Sequence, residues 1–169
     1  MADTLKYGWA YGGRQGVEMK VGGSHSFNRL GGAFVTASGT GSGLTVVKPI
    51  TASTDVITGW AEVPRSAVPG LNDFWTSSST SGNDKVFVIT DPTAVFAMPA
   101  QEAIASLTAS LVGINMSASA SGSGTSLVQR VLPRQTTTAA NMQFMCMGVD
   151  TDTKTGRKIY VRVNPVHLS

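Results

Sequence analysis

The side chains best suited to catalysis in this chain of 169 residues are two histidines and a single cysteine, far apart in the sequence. His25 lies near the start, His167 near the end, and Cys146 between two methionines in an apolar run. A serine–histidine–aspartate triad would need one of these histidines, but no spacing singles out a serine and no GxSxG motif is present. We therefore expect each histidine to be an ordinary surface residue and Cys146 to be a buried structural thiol. This pattern does not favour an enzyme.

Three further segments contain residue types that bind phosphate or metal ions, but their spacing suits neither. The stretch GTGSG at 39–43 lacks the GxGxxG spacing and leads into a strand-like run, whereas a phosphate loop leads into a helix. Lys154 and Thr155 lack the glycines of a nucleotide loop. Asp150 and Asp152 resemble the start of a calcium loop, but basic residues follow and no terminal glutamate does. We therefore predict no cofactor, no metal site and no small-molecule substrate.

Composition excludes several classes of protein. Charged residues make up only 14% of the chain, against roughly 25% in typical domains, and glycine is abundant, so a helical bundle is not expected. The net charge of +3 comes from scattered basic residues, which does not favour nucleic-acid binding. No apolar stretch is long enough to span a membrane, and the N-terminus does not resemble a signal peptide. A single cysteine fits synthesis in a reducing cytoplasm.

Short strand-like segments separated by turn signals run through most of the chain from residue 33. The segments are 33–37, 44–47, 56–63, 85–90, 94–98, 143–149 and 158–164. The last two flank residues 150–157 and are expected to form a hairpin. Strands at intervals of roughly 10–15 residues are typical of antiparallel barrels and sandwiches. We therefore predict an all-β, mainly antiparallel fold, a small barrel or sandwich with an extended N-terminal arm.

Two adjoining segments fit this pattern less well. Residues 101–116 have apolar side chains at helical spacing, but their serine, threonine and valine content also suits a strand. Both alternatives stay open, and we favour the strand. Residues 117–126, SASASGSGTS, are of low complexity and are predicted to form a loop.

The N-terminal segment, residues 1–32, combines aromatic side chains with many glycines. Tyr7, Trp9, Tyr11 and Phe27 all lie in it, whereas a solvated tail is usually poor in aromatics. Such a segment can lie extended across another surface, with its aromatics as anchors. Alternatively, these aromatics fold back on the chain's own core. The predicted organisation is an arm at 1–32 and a β-rich domain at 33–169.

Four segments in order resemble a known family. They are VITGWAEVPRS at 56–66, GNDKVFVITDPTAVFAM at 82–98, LVGINM at 111–116 followed by GTSLVQ at 124–129, and MGVD…YVRVNPVHLS within 147–169. Taken together, residues 50–169 resemble the small decoration (cement) proteins of tailed-bacteriophage capsids. The Ser/Ala-rich insert and the aromatic N-terminal segment depart from the pattern of that family.

The resemblance implies a β-rich structural protein that binds the major capsid protein on the outer surface of the expanded head and stabilises the shell. It also implies self-association, as a homotrimer at threefold positions or a dimer at twofold positions. A tail or baseplate accessory, or the head domain of a host-surface adhesin, is the alternative. A small β-fold hydrolase that uses His25 or His167 would be the enzymatic alternative, and no spacing in the sequence supports it.

The residues that we predict to contact the capsid lie in the N-terminal segment. Tyr7, Trp9 and Tyr11 are expected to dock into grooves between capsid subunits. Arg14 and Arg29 are expected to pair with acidic capsid groups, which would aid encounter and register. Trp75 is a second candidate, with a role in the core as its alternative.

Overall fold

Thirteen β-strands and one 3₁₀ turn make up the regular structure of the described chain. The computed structural model describes residues 8–28, 32–52, 54–63, 74–99, 109–121, 128–132, 142–150 and 158–164. The strands are β1 Gly8–Tyr11, β2 Gly16–Lys20, β3 Ser26–Asn28, β4 Ala33–Gly39, β5 Thr45–Pro49, β6 Gly59–Glu62, β7 Phe74–Thr76, β8 Lys85–Ile89, β9 Val95–Pro99, β10 Asn115–Ser121, β11 Val128–Leu132, β12 Phe144–Asp150 and β13 Lys158–Val163. The 3₁₀ turn is Ala109–Leu111.

Three antiparallel sheets contain these strands. The first has six strands in the order β1-β9-β13-β12-β10-β11, and the second has five in the order β2-β8-β6-β4-β5. A two-stranded ribbon pairs β3 with β7. The predicted hairpin around residues 150–157 has its two strands paired, β12 with β13, and β4 pairs with β5 in the same way. The all-β, antiparallel prediction is therefore confirmed.

The five-stranded sheet curls until its two outer strands meet. Val21, just after β2, forms a parallel bridge with Val47 of β5, and the Gly22 N–H donates to the Val47 carbonyl at 2.9 Å. The inner face carries a buried cluster of small and β-branched side chains: Val21, Ala33, Val35, Val47, Ala61, Val86 and Val88. Phe27 and Trp75 from the β3–β7 ribbon pack against it, with ring centroids 5.4 Å apart. Trp75 therefore has the core role that was its alternative.

The larger core lies between the two main sheets. Residues 34 and 60 alternate with the cluster above and face the six-stranded sheet. There Phe34 packs on Trp60, Phe96 and Phe144 with ring centroids 4.8, 5.1 and 4.7 Å apart. The fold therefore combines a curled sheet with a sandwich. One face of strands β4 and β6 lines the core inside the curled sheet, and the other face lines the core between the two main sheets.

Two buried glutamines join the layers by hydrogen bonds. Gln129, on the outer strand β11 of the six-stranded sheet, accepts from the Phe34 N–H at 2.7 Å and donates to the Phe34 carbonyl at 2.8 Å. Its Nε2 also donates to the Ile50 carbonyl at 3.1 Å. The side-chain amide thus makes hydrogen bonds to the Phe34 backbone of the kind that a neighbouring strand makes. Buried backbone groups require such partners.

Gln143, which directly precedes β12, plays a similar part. Its Oε1 accepts from the Ala118 N–H at 3.0 Å, and its Nε2 donates to the carbonyls of Ala52 and Asp55 at 3.3 and 2.5 Å. It therefore ties β10 to the loop that leads into β6.

The Ser/Ala-rich segment corrects one prediction. Residues 117–121 were predicted to form a loop, but they continue β10 and pair with β11. Serine and alanine alternate there with a period of two, and Ala118 is buried in the larger core. In the preceding segment, residues 101–108 lie outside the described residues and 109–111 form the 3₁₀ turn.

The N-terminal segment is extended, but its described strands pair with the rest of the chain. Gly8–Tyr11 pairs with β9, Gly16–Lys20 with β8, and Ser26–Asn28 with β7. Of the two alternatives for this segment, residues 8–28 follow the second, in which it folds back on the chain's own body. These strands belong to the same sheets as the rest of the fold.

Candidate binding surface at the first strand

Strand β1 is an outer strand of the six-stranded sheet, and it points its two aromatics in different directions. Trp9 lies opposite Phe96 and Tyr11 opposite Val95, with an irregularity of register between them. Phe96 faces the five-stranded sheet, whereas Val95, which is also buried, lies on the opposite face of its own sheet. Residues two apart in a regular strand share a face, so it is the bulge that separates Trp9 from Tyr11.

Trp9 is 37% exposed and is held by two contacts from the turn that follows. Its indole Nε1 donates to the Gly13 carbonyl at 3.1 Å. The Arg14 guanidinium lies over the ring, 5.3 Å from its centroid. Arg14 Nη2 donates to both carboxylate oxygens of Glu62, at 2.8 and 2.9 Å. A half-exposed ion pair of this kind contributes little stability, but it fixes the guanidinium against the indole.

The turn itself requires glycine. Gly12 has a φ of +87°, and a Cβ there would lie 2.3 Å from the Thr93 carbonyl oxygen. The Gly13 N–H donates to the Thr93 hydroxyl at 3.1 Å. Asp91 accepts from the Thr93 hydroxyl and backbone N–H, and these hydrogen bonds hold the pKa of Asp91 below its usual value. The turn that supports Trp9 is therefore anchored to the segment between β8 and β9.

Phe87 extends this surface along the five-stranded sheet. It lies opposite Glu62 in the register of β6 and β8 and is 40% exposed. A Cβ at Gly16 would lie 2.9 Å from Phe87 Cζ, so the ring covers that glycine. Sequence reasoning missed Phe87, although it alternates with the buried Val86 and Val88. We call Trp9, Arg14, Glu62 and Phe87 the Trp9–Phe87 surface.

Of the remaining predicted contact residues, the structure describes Tyr11 alone. Tyr11 is 49% exposed on the outer face of the six-stranded sheet, with its ring centroid 6.2 Å from that of Tyr160. Tyr7 and Arg29 lie outside the described residues. The pairing of Arg14 with an acidic capsid group stays a prediction. In this structure the Arg14 guanidinium forms an ion pair with Glu62.

The structure describes two of the three groups first considered for catalysis, and these two lie in different parts of the fold. Cys146 is buried in the larger core, and burial raises the pKa of its thiol. His25 lies near the β3–β7 ribbon, and His167 lies outside the described residues. Among the described residues, no three histidine, cysteine or acidic side chains are grouped to hold a metal ion. In the same part of the chain, no helix has the length and apolar character needed to cross a membrane.

The Trp9–Phe87 surface consists of exposed rings and a fixed arginine, which suits recognition by contact. No family model, curated protein or solved structure matches this chain. The function must therefore be argued from the surface and from the order of the sequence motifs.

His25 predicts a pH dependence of stability. Burial, together with the charge of Lys48, lowers the pKa of His25. Because the folded state disfavours the charged imidazole, this stability is present above about pH 6.5 and is lost as the pH falls through the unfolded pKa towards the lower folded one. We expect the free energy of unfolding, measured by urea denaturation, to fall between about pH 7.5 and 5.5 by more in the wild type than in His25→Gln. If the free energy of unfolding changed equally with pH in the two proteins, the role given to His25 would be contradicted.

Proposed function

We propose that this chain is a capsid decoration protein, which binds the major capsid protein on the outer surface of a mature phage head and stabilises the shell. The observation that carries the proposal is the Trp9–Phe87 surface, where exposed aromatics flank an arginine already held in place. Tryptophan and arginine are enriched in the residues that dominate binding energy. Side chains held before binding lose less conformational freedom when a partner arrives.

The placement of the family-like segments supports the same proposal. Residues 56–66 include β6, 82–98 include β8 and β9, and 147–169 include β13. Strands β6 and β8 are neighbours in the five-stranded sheet, and β9 and β13 are neighbours in the six-stranded sheet. Strand β9 also pairs with β1. The part of the chain that resembles decoration proteins is therefore the scaffold on which the candidate surface is built.

Binding would stabilise the shell by linkage. A protein that recognises grooves between capsid subunits binds the assembled lattice better than free subunits, so it shifts the equilibrium towards assembly. A homotrimer or dimer would engage several subunits at once and gain by avidity. We include self-association in the proposal for this reason.

The testing experiment is co-sedimentation of the purified chain with expanded, undecorated capsids, after its native mass has been measured. We expect a trimer or dimer that saturates the shell and raises the temperature at which the capsid opens. A monomer that stays in the supernatant would overturn the proposal. That result would favour the tail or baseplate accessory, or the adhesin head domain.

A further inference from the structure

The outer face of strand β13 carries polar and aromatic side chains in alternation with the core. Ile159, Val161 and Val163 are buried against the five-stranded sheet. Lys158, Tyr160 and Arg162 therefore point to the opposite face. Arg162 lies between Val95 of β9 and Met145 of β12 in the sheet register.

Arg162 has poor hydrogen-bond partners for a charged group. Its Nε is buried and has no partner, and its Nη2 donates only to the Met145 sulfur at 3.8 Å. A thioether is a weak acceptor, whereas a guanidinium stays charged and presents five donors. Buried donors of charged groups that lack an acceptor are costly. Because the Nε is buried, a partner protein can supply an acceptor only to the terminal Nη groups, which have no oxygen acceptor in the described chain.

No acid of the described chain supplies the missing acceptor. The acidic residue in register on this face is Asp150, which lies opposite Lys158. Lys158 and Arg162 are four residues apart on one strand, which corresponds to about 13 Å. Among the described residues, the positive charge of Arg162 thus has no acidic partner, in a chain whose net charge is +3.

Two tyrosines border this charge. The Tyr160 ring covers Gly148, since a Cβ there would lie 3.6 Å from the ring. Tyr11 lies beside Tyr160 and is already a predicted contact residue. An arginine flanked by tyrosines is typical of residues that dominate protein interfaces. Carboxylates are the ligands that match the guanidinium fork best.

We propose that Arg162 binds the carboxylate of an aspartate or glutamate on the major capsid protein, with Tyr11 and Tyr160 packed around that side chain. This inference rests on the proposed function and adds a second contact to it. Strand β1 then contributes to both contacts, with Trp9 on one side of the sheet and Tyr11 on the other.

The testing variant is Arg162→Met, with Lys158→Met as the matched control. Both variants remove one positive charge from the same strand face. Of the two residues replaced, Arg162 has a buried donor without an acceptor and Lys158 does not. We expect Arg162→Met to weaken binding to expanded, undecorated capsids by about 30-fold or more and Lys158→Met to change it by less than about threefold. We also expect Arg162→Met to unfold at the same urea concentration as the wild type or a higher one, because it removes a poorly paired buried charge.

A loss of binding without a loss of stability separates a role in recognition from a structural role. Arg162→Lys keeps the charge without the fork and is expected to bind with intermediate affinity. If the wild type binds capsids and Arg162→Met binds equally well, the inference is overturned and the proposed function stands.

A second measurement tests the carboxylate site of Arg162 by itself, and so distinguishes failure of this site from failure of the proposed function. Sodium propionate is titrated into the isolated protein while the Arg162 Nε–H resonance is followed by NMR, with sodium chloride at matched ionic strength as control. We expect a saturable shift with propionate alone. Absence of such a shift would overturn the carboxylate site.

Discussion

Replacing Trp9 with alanine is expected to weaken binding to expanded, undecorated capsids by about 30-fold, which corresponds to about 2 kcal/mol. The indole is exposed yet held by the Gly13 carbonyl and the Arg14 guanidinium, so it meets a partner with little further loss of freedom. Phe87→Ala, which removes the other exposed ring of the surface, is expected to weaken binding in the same direction. The measurement is a co-sedimentation titration with capsids.

The matched control is Val112→Ala, which shortens another exposed apolar side chain outside the Trp9–Phe87 surface. We expect its binding to equal that of the wild type. Urea unfolding of each variant shows whether the fold is retained. A Trp9→Ala protein that folds normally and binds with the wild-type midpoint would remove this surface from the proposed interface.

Replacing Gln129 with leucine is expected to lower the free energy of unfolding by about 3 kcal/mol. Leucine fills a similar volume but leaves the Phe34 N–H and the Ile50 carbonyl without the partners that the amide supplies. The effect is measured by urea denaturation, as a shift of the midpoint with an unchanged slope.

Two further variants make this result specific. Gln15→Leu makes the same chemical change on an exposed residue and is expected to alter stability by less than about 0.5 kcal/mol. Gln129→Glu keeps an acceptor for the Phe34 N–H but presents an oxygen to the carbonyls of Phe34 and Ile50, so it should destabilise at neutral pH. A midpoint for Gln129→Leu equal to that of Gln15→Leu would show that the two layers do not depend on this amide.

The position of β1 connects the fold to the proposed role. This strand is short and bulged, it lies at the edge of the larger sheet, and its flanking turn is fixed to β6 and to the β8–β9 connection. Edge strands often carry irregularities of this kind. Here the bulge gives one strand access to two faces of the molecule. The structure therefore places Trp9 and Tyr11 on opposite faces of the six-stranded sheet.

Local signals in the sequence were sufficient for seven of the thirteen described strands, which are β4, β5, β6, β8, β9, β12 and β13. Alternation with a period of two marks β8, where Val86 and Val88 are buried, and polar turns mark the hairpins β4–β5 and β12–β13. These features depend on residues close together in the chain, so the all-β class and its antiparallel hairpins could be predicted. The aromatic character of the N-terminal segment was also visible, but not which surface it covers.

The remaining features depend on contacts between residues distant in sequence. Residues 117–121 form a strand because they pair with β11, and neither serine nor alanine favours a strand by itself. Gln129 looks like an ordinary polar residue until Phe34, 95 positions away, is placed beside it. The same holds for Arg162, whose missing acceptor becomes visible only once Val95 and Met145 flank it. The sequence by itself determined where those seven strands form, because alternation and turns are local, whereas tertiary structure alone decided the remaining strands, which polar groups are paired and which surfaces stay open.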